Sequence, residues 1–365
     1  MKLLILILFA ISIFSGCRTA SIEVVKPIDS AAAQPEATRL SDSRIDAAEP
    51  AVAVDPAGNT FVAFVEHLPD KSANLFVKKL DAQLKPAGDA VRVNPYAGEV
   101  KAWAGDPPTL AIGPDGAVYV GWTRRVSSSE LGNDLVISVS QDGGATFGDP
   151  VKVNDDAKPA SHGMHSLAIG KEGHVYIAWL DERNVKVENH DEPAGHSDEM
   201  VEPNSEVFFA VSNDGGKTFG ANQKIAADVC PCCKTSMALS SEGILYVSWR
   251  QVLKGDLRHI AVASSTDNGK TFSQGSIVSD DQWQLNACPV SGAALLAGEN
   301  KTLQVLWYTA GKAGQAGIYS AESSDGGRTF TPRKLISGEG ASGLPWLGAG
   351  SEVFPVGGGN IAIKS

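Results

Sequence analysis

A pattern repeated along the chain constrains its fold more than any other feature. The Asp side chain of the pattern Ser-x-Asp-x-Gly-x-Thr-Phe can accept backbone hydrogen bonds in a turn, glycine can adopt positive φ, and phenylalanine can pack beneath. The pattern occurs as SQDGGATF (140–147), SNDGGKTF (212–219), STDNGKTF (265–272) and SSDGGRTF (323–330). It therefore predicts four hairpin turns in which one carboxylate each is structural: Asp142, Asp214, Asp267 and Asp325.

A second repeat adds the strands around these turns. A typical copy, TLAIGPDGAVYVGW (109–122), reads as an apolar strand, a turn and a second strand that ends in an aromatic residue. Five copies begin at residues 51, 109, 166, 236 and 293, so the spacings are 58, 57, 70 and 57 residues. Each unit has room for about four short strands, which is typical of a propeller blade.

Together the two repeats resemble the Asp-box (bacterial neuraminidase repeat) propellers of the sialidase superfamily, over nearly the whole chain after its N-terminal segment. The resemblance implies an all-β, six-bladed β-propeller of four-stranded antiparallel blades, with a five-bladed ring as the fallback. The sixth blade would combine ATRLSDS (37–43) as its fourth strand with SEVFPVGGGNIAIKS (351–365) as its first two strands. Such pairing of the two ends would close the ring and cover its edges.

The first residues, MKLLILILFAISIFSGC, put Lys2 before an apolar run typical of a signal-peptide core. The end of this run, Phe14-Ser15-Gly16-Cys17, resembles a bacterial lipobox. The resemblance implies cleavage after residues 1–16 and a lipid on Cys17 that anchors the protein in the cell envelope, at the outer membrane on its periplasmic or surface side. Simple secretion is the alternative. Residues 17–36 are then a flexible tether, and residues 37–365 form a single sialidase-like propeller.

The net charge of −11 argues against binding of nucleic acid or anionic membrane surfaces. Contact with a membrane is therefore expected only through the lipid anchor.

Four cysteines other than Cys17 fall in two short segments, VCPCCK (229–234) and NACPVSG (286–292). In a propeller blade, the loop that enters the first strand opens on one face, opposite the Asp-box turns. The segments SHGMH (161–165), PCCKT (231–235) and CPVSG (288–292) all occupy this entry position in consecutive blades. The register therefore predicts that six side chains crowd one funnel mouth: Cys230, Cys232, Cys233, Cys288, His162 and His165.

Three interpretations of this cluster stay open. An even number of cysteines in an exported protein is typical of disulfides, and a bond from Cys232 or Cys233 to Cys288 would join two blades. Thiolate, imidazole and thioether ligands together favour copper or zinc, although Cys-x-Cys-Cys is not a zinc-finger spacing. Redox-active thiols are the third interpretation. A long loop (181–206), otherwise read as a solvated acidic loop, adds three weaker metal ligands: His190, His196 and Met200.

The resemblance also raises exo-sialidase activity, which uses three arginines, an Asp acid/base and a Tyr–Glu nucleophile. The expected Arg-Ile-Pro motif is replaced by Arg44-Ile45-Asp46, too early in the register. Weak catalytic candidates are Arg250, Arg183, Glu66, Asp106 and Tyr308. The favoured function is a propeller that binds a small ligand or metal ion, or performs thiol redox chemistry, at its mouth. The alternatives are a glycoside hydrolase of acidic sugars, with a glycan at the mouth, and a non-catalytic, disulfide-tied scaffold.

Overall fold

The computed structural model describes residues 39–126, 132–185, 204–338, 345–347 and 353–355. All regular structure in these ranges consists of β-strands that pair antiparallel with their neighbours. The described ranges contain no helix with the length and apolar content that a membrane span requires. The all-β prediction is therefore confirmed.

Twenty strands form five units of four, each in chain order. The first two units are β1 (Asp46–Val54), β2 (Thr60–His67), β3 (Ala73–Leu80) and β4 (Val91–Arg92), then β5 (Thr109–Ile112), β6 (Val118–Arg125), β7 (Asn133–Ser140) and β8 (Val151–Lys152). The third unit is β9 (His162–Ile169), β10 (Val175–Asp181), β11 (Ser205–Ser212) and β12 (Gln223–Val229). The last two are β13 (Ser236–Leu239), β14 (Leu245–Leu253), β15 (Leu257–Ser265) and β16 (Ser276–Ile277), then β17 (Ala293–Ala297), β18 (Leu303–Thr309), β19 (Gly317–Ser323) and β20 (Lys334–Ser337).

The first strands of successive units lie next to one another in chain order, from β1 through β5, β9 and β13 to β17. This arrangement is that of a β-propeller with four-stranded antiparallel blades. The third and fourth blades are also joined directly, because Val229 at the end of β12 pairs with Gln251 of β14. That link positions the cysteine segment, which begins at the next residue.

A short hairpin follows the fifth blade. Its strands β21 (Pro345–Leu347) and β22 (Val353–Pro355) pair antiparallel, and β21 lies against β17 and β18. The hairpin occupies the place where a sixth blade would begin, but its first strand precedes the segment 351–365 predicted for that role. The count of six blades stays a prediction.

The prediction of a strand in ATRLSDS (37–43) is wrong for residues 39–43, which the structure describes as a non-strand segment. Local hydrogen bonds fold this segment back on itself: Arg39 Nη2 donates to the Ile45 carbonyl at 2.9 Å, and Arg44 Nη2 lies 2.6 Å from Asp42 Oδ2. The arginines thus satisfy a local turn, which a match to strand patterns in other blades does not reveal.

The four repeated turns have the geometry predicted for them. In each one, the Asp carboxylate accepts hydrogen bonds from the Ser hydroxyl two residues earlier and from the backbone N–H and hydroxyl of the Thr four residues later. The shared glycine has positive φ in every copy, as at Gly144 (89°) and Gly216 (87°). The phenylalanine that ends each copy packs against a hydrophobic core. These turns are structural devices, and we call them Asp turns.

The core lies between neighbouring blades. The second strands contribute large side chains that are at most 2% exposed: Trp122, Trp179, Trp249, Trp307, Tyr119, Tyr176 and Tyr246. Three of these four indole N–H groups have acceptors: Trp179 Nε1 donates to Asp181 at 2.8 Å, Trp249 Nε1 to Gln251 at 2.7 Å and Trp307 Nε1 to Asp281 at 2.7 Å. Large buried side chains of this kind pack neighbouring blades against one another.

Candidate functional site

The two cysteine segments meet where the fourth and fifth blades begin. Cys230 follows β12 directly, Cys232 and Cys233 precede β13, and Cys288 lies in the segment before β17. A disulfide joins Cys232 to Cys288, with a Cα–Cα distance of 6.0 Å. The structure therefore contains the disulfide that one of the three interpretations predicted, and this bond links two adjacent blades.

The other two cysteines form a thiol pair. Cys230 and Cys233 are not disulfide-bonded, and their Sγ atoms lie 3.0 Å apart. A turn brings them together, because the Cys233 N–H donates to the Cys230 carbonyl at 3.5 Å. Their spacing is Cys-x₂-Cys, which the sequence interpretation overlooked when it treated the three cysteines as one Cys-x-Cys-Cys unit. This spacing is used by metal sites and by thiol–disulfide exchange proteins.

The thiol pair and the disulfide are close neighbours. Cys230 Sγ lies 3.7 Å from Cys232 Sγ, and the sulfurs of Cys230, Cys232 and Cys233 all lie within 4.8 Å of one another. We call these three residues and Cys288 the four-sulfur cluster. Its three inner members are buried in an apolar core that includes Met164, whereas Cys288 is exposed. The cluster therefore has one end in the core and one end at the surface.

Two buried arginines stand beside the cluster. Arg250 is 0% exposed, and its Nε and Nη2 atoms donate to the carbonyls of Ser291 and Tyr308 at 2.8 and 3.0 Å. Arg258 is 7% exposed and donates to the carbonyl of Leu285 at 3.2 Å. Within the described part of the chain, the Nη1 atom of each arginine has no hydrogen-bond partner. A buried guanidinium without a carboxylate is costly unless another negative group is near.

The thiols supply that negative charge. The hydrogen bond from Cys233, together with the charges of Arg258 and Arg250, lowers the pKa of Cys230 to about 7. Burial and the neighbouring Cys230 raise the pKa of Cys233 well above its usual range. Cys230 is therefore partly ionised near neutral pH while Cys233 keeps its proton, and a thiolate of this kind is the nucleophile in thiol–disulfide exchange.

The two histidines predicted to join the cysteines lie in other networks. His162 Nε2 is 3.2 Å from Asp156 and 3.4 Å from Asp181, and its Nδ1 is 2.6 Å from the Asn133 carbonyl. His165 Nδ1 is 3.4 Å from Asp106. Among the described residues, the group of possible metal ligands here contains cysteines alone. The repeat register brought the entry segments to one face, but it could not predict that carboxylates lie next to both imidazoles.

Asp106, His165 and Lys234 form a buried charged group. Lys234 Nζ lies 3.1 Å from Asp106 Oδ1 and donates to the Pro107 carbonyl at 2.8 Å. Burial alone raises the pKa of Asp106, but Lys234 and His165 outweigh it and hold that pKa well below its usual range. Burial lowers the pKa of Lys234, and burial together with the Lys234 charge lowers the pKa of His165. The group is thus an ion pair with a neutral imidazole beside it.

A cavity of about 270 Å³ adjoins both features, since Cys232 and Asp106 line it. The ring of Trp103 at its edge is 48% exposed. Its lining residues are Lys101, Trp103, Asp106, Thr123, Asn133, Ser161, His162, Gly163, Met164, Leu180, Glu182, Pro231 and Cys232. Of the five weak catalytic candidates only Asp106 lies on this wall, and among the described lining residues there is no arginine.

Three other catalytic candidates lie away from the cavity wall, in contact with other side chains or buried. Arg183 contacts Asp181 at 2.8 Å and Asp155 at 2.6 Å. Tyr308 packs edge-on against Trp283, with ring centroids 5.8 Å apart. Glu66 is buried, and burial raises its pKa. The predicted ligands His190, His196 and Met200, and the predicted lipid site Cys17, lie outside the described residues.

No protein-family model matches this chain. A search of curated proteins also gives no match.

Solved structures do resemble it. A protein of unknown function from Dyadobacter fermentans is 16% identical with a TM-score of 0.53, and the match covers 84% of this chain and 87% of that one. An ulvan lyase of a polysaccharide lyase family, bound to a GlcA–Rha3S chain, is 14% identical with a TM-score of 0.52, over 79% and 70% of the two chains. A Hadza microbial sialidase is 15% identical with a TM-score of 0.46, over 74% and 55%. Identities this low support the fold alone, and that fold is the β-propeller.

Proposed function

We propose that the protein is a thiol–disulfide exchange protein of the cell envelope, with the four-sulfur cluster as its reactive site. One observation carries the proposal: Cys230 Sγ lies 3.0 Å from the thiol of Cys233 and 3.7 Å from the disulfide sulfur of Cys232. A dithiol in contact with a disulfide needs only small sulfur movements for the two to exchange. A purely structural tie between blades needs no second thiol pair beside it.

The exposure of Cys288 supports exchange with a partner molecule. In the proposed reaction, a thiolate of a partner dithiol attacks the sulfur of Cys288, and Cys232 leaves as a thiolate. The second thiolate of the partner then attacks its own first sulfur, and Cys288 leaves. Two electrons pass from the partner to the Cys232–Cys288 pair, the partner becomes a disulfide, and its two protons end on Cys232 and Cys288.

The buried pair gives an internal exchange. The Cys230 thiolate attacks Cys232 Sγ, and Cys288 leaves as a thiolate. Cys233 then gives up its proton and attacks Cys230 Sγ, and Cys232 leaves. The products are a Cys230–Cys233 disulfide and thiols at Cys232 and Cys288, which take up the proton of Cys233 and one proton from water. Two electrons have then moved within the cluster without an external oxidant.

Export through the N-terminal segment and a lipid on Cys17 belong to the same proposal. Disulfides form and persist outside the cytosol, so a Cys232–Cys288 bond suits a protein held in the envelope. A tether after the anchor would let the propeller reach dithiol proteins in that compartment.

A reduced dithiol peptide tests the partner reaction. The full chain with Cys17→Ser, which leaves only the four cluster cysteines, is mixed with the peptide without oxygen or metal. We expect close to one peptide disulfide per protein, together with two new protein thiols. Cys288→Ser should leave the peptide reduced, because it removes the exposed sulfur that the partner thiolate attacks. If the peptide stays reduced with the parent protein, the exchange is rejected and the Cys232–Cys288 disulfide is structural only.

Binding of an acidic sugar in the cavity is a second candidate function. The half-exposed ring of Trp103 beside Lys101 favours it, because an aromatic face and a cation together suit a sugar that carries a carboxylate. The similar ulvan lyase was solved with a GlcA-containing chain, which fits a ligand of this class.

Calorimetric titration with a glucuronate-containing disaccharide tests this candidate. We expect Trp103→Ala to weaken binding by up to about tenfold. Tyr96→Ala removes another exposed aromatic ring, which is not part of the cavity wall, and should leave binding unchanged. Equal affinity of the two variants, or no binding by the parent protein, would contradict it.

A further inference from the structure

Reduction of the Cys232–Cys288 disulfide would change what the four-sulfur cluster can bind. In the oxidised protein two thiols are available, Cys230 and Cys233. After reduction, Cys232 adds a third inner thiol within 4.8 Å of the other two. We infer that the reduced protein binds a single Cu(I) ion between Cys230, Cys232 and Cys233, a site that rests on the proposed exchange because the exchange creates it.

The distances fit a metal held by sulfur. Two metal–sulfur bonds of about 2.3 Å place their sulfurs at most about 4.6 Å apart. Cys230 Sγ lies 3.0 Å from Cys233 Sγ and 3.7 Å from Cys232 Sγ, and the separation between Cys232 Sγ and Cys233 Sγ is within 4.8 Å. Small rotations of the side chains therefore bring all three sulfurs to bonding distance of one ion.

The charge of the surroundings fits an anionic complex. Three thiolates around a monovalent ion carry net negative charge, which a buried site must balance. Arg250 and Arg258 are buried beside the thiols, and the Nη1 atom of each lacks a hydrogen-bond partner in the described ranges. These two cations would compensate the complex from its outer side, as outer-shell groups do at metal sites.

The donor set selects the metal. Thiolates that lie in an apolar core favour a soft ion such as Cu(I) over hard ions with oxygen ligands. Zinc in a structural site requires four ligands in a tetrahedron. The fourth sulfur here, Cys288, is exposed and outside the buried trio. The three inner sulfurs alone therefore match Cu(I) better than zinc.

The test is competition for Cu(I) against a chromophoric chelator under anaerobic conditions, with all proteins in the Cys17→Ser background. Four forms are compared: disulfide-intact protein, reduced protein, reduced Cys288→Ser and reduced Cys232→Ser. We expect the reduced protein and Cys288→Ser to hold one Cu(I) each with equal affinity. The disulfide-intact protein and Cys232→Ser should bind at least about tenfold more weakly, because each lacks the third inner thiol.

Two outcomes would overturn the site. Equal Cu(I) affinity of the intact and reduced proteins would show that Cys232 is not a ligand. Loss of binding in Cys288→Ser, together with tight zinc binding by the reduced parent protein, would instead indicate a four-cysteine zinc site. Because Cys288→Ser cannot form the Cys232–Cys288 bond, it reports on the metal site separately from exchange. A failed peptide assay with normal Cu(I) binding would reject the exchange and keep the metal site.

Discussion

Cys230 Sγ lies 3.7 Å from Cys232 Sγ, so a buried thiol stands next to a disulfide that reaches the surface through Cys288. The contact results from two local features. Cys230 directly follows a strand that joins the third and fourth blades, and Cys232 lies in the turn that enters the fourth. The fold thereby brings a pair of free thiols and a disulfide together in one apolar core.

The pH dependence of the thiols follows from this contact. We expect the ultraviolet absorbance of thiolate in the native protein to rise with a midpoint near pH 7, because the Cys233 hydrogen bond and two arginines lower the pKa of Cys230. Cys230→Ser should remove this transition. Cys233→Ala should move it to higher pH, because it removes the largest stabilising contact of the thiolate. An unchanged midpoint in Cys233→Ala would contradict the assignment.

Loss of the disulfide should lower stability. The bond closes a loop with a sequence separation of 56 residues, and a disulfide typically contributes about 2–4 kcal/mol of unfolding free energy, more for longer loops. We expect Cys288→Ser to lose about this amount in chemical denaturation. Gln284→Ser changes another exposed residue of the same segment and should have little effect. Equal stability of the two variants would mean that the bond does not constrain the chain.

The Asp turns should contribute stability but no activity. Asp214→Ala removes the acceptor for Thr218 and Ser212 and should cost on the order of 1 kcal/mol, whereas Asn213→Ala at the exposed neighbouring position should cost less. Both variants should oxidise the dithiol peptide normally. If Asp214→Ala lost that reaction but kept normal stability, the Asp turns would take part in function and this prediction would be wrong.

Low pH should remove the stabilisation that the Asp214 carboxylate contributes. Hydrogen bonds from Thr218 and Ser212 lower the pKa of Asp214 from 3.8 to about 2. Because the folded value is the lower one, the stabilisation is present above about pH 4 and is lost as the pH falls toward 2. The stability difference between parent protein and Asp214→Asn should therefore shrink over that range. A constant difference would show that the carboxylate charge has no part in the turn.

The buried pair of Asp106 and Lys234 should be strongly coupled. Asp106→Asn removes the carboxylate partner of Lys234. Loss of one partner of a fully buried ion pair costs about 3–5 kcal/mol, and the part-buried position of this pair should make the loss smaller. The double variant Asp106→Asn with Lys234→Met removes both charges and should recover part of that loss. Additive effects of the two single variants would mean that the carboxylate and ammonium do not interact.

The sequence predicted more of the fold than of the candidate site. Turn residues at fixed spacing specify the Asp turns locally, so repeat register sufficed to align the entry segments and to bring Cys232 near Cys288. The carboxylates next to His162 and His165 include Asp156 and Asp106, which lie in loops outside the repeated strands. A repeat pattern does not predict contacts of this kind. Arg250 is a catalytic candidate by sequence, yet it is fully buried. Its partners are backbone carbonyls, which have no signature in the sequence.

Disulfide mapping of the partly oxidised protein tests the exchange most directly. The Cys17→Ser protein is reduced, allowed to form one disulfide per molecule, quenched with acid, alkylated and mapped by mass spectrometry. The exchange predicts two species, one with Cys232–Cys288 bonded and one with Cys230–Cys233 bonded, whose proportions reach the same value from either starting bond. A protein that holds only the Cys232–Cys288 bond under every condition, with Cys230 and Cys233 always alkylated, would contradict it.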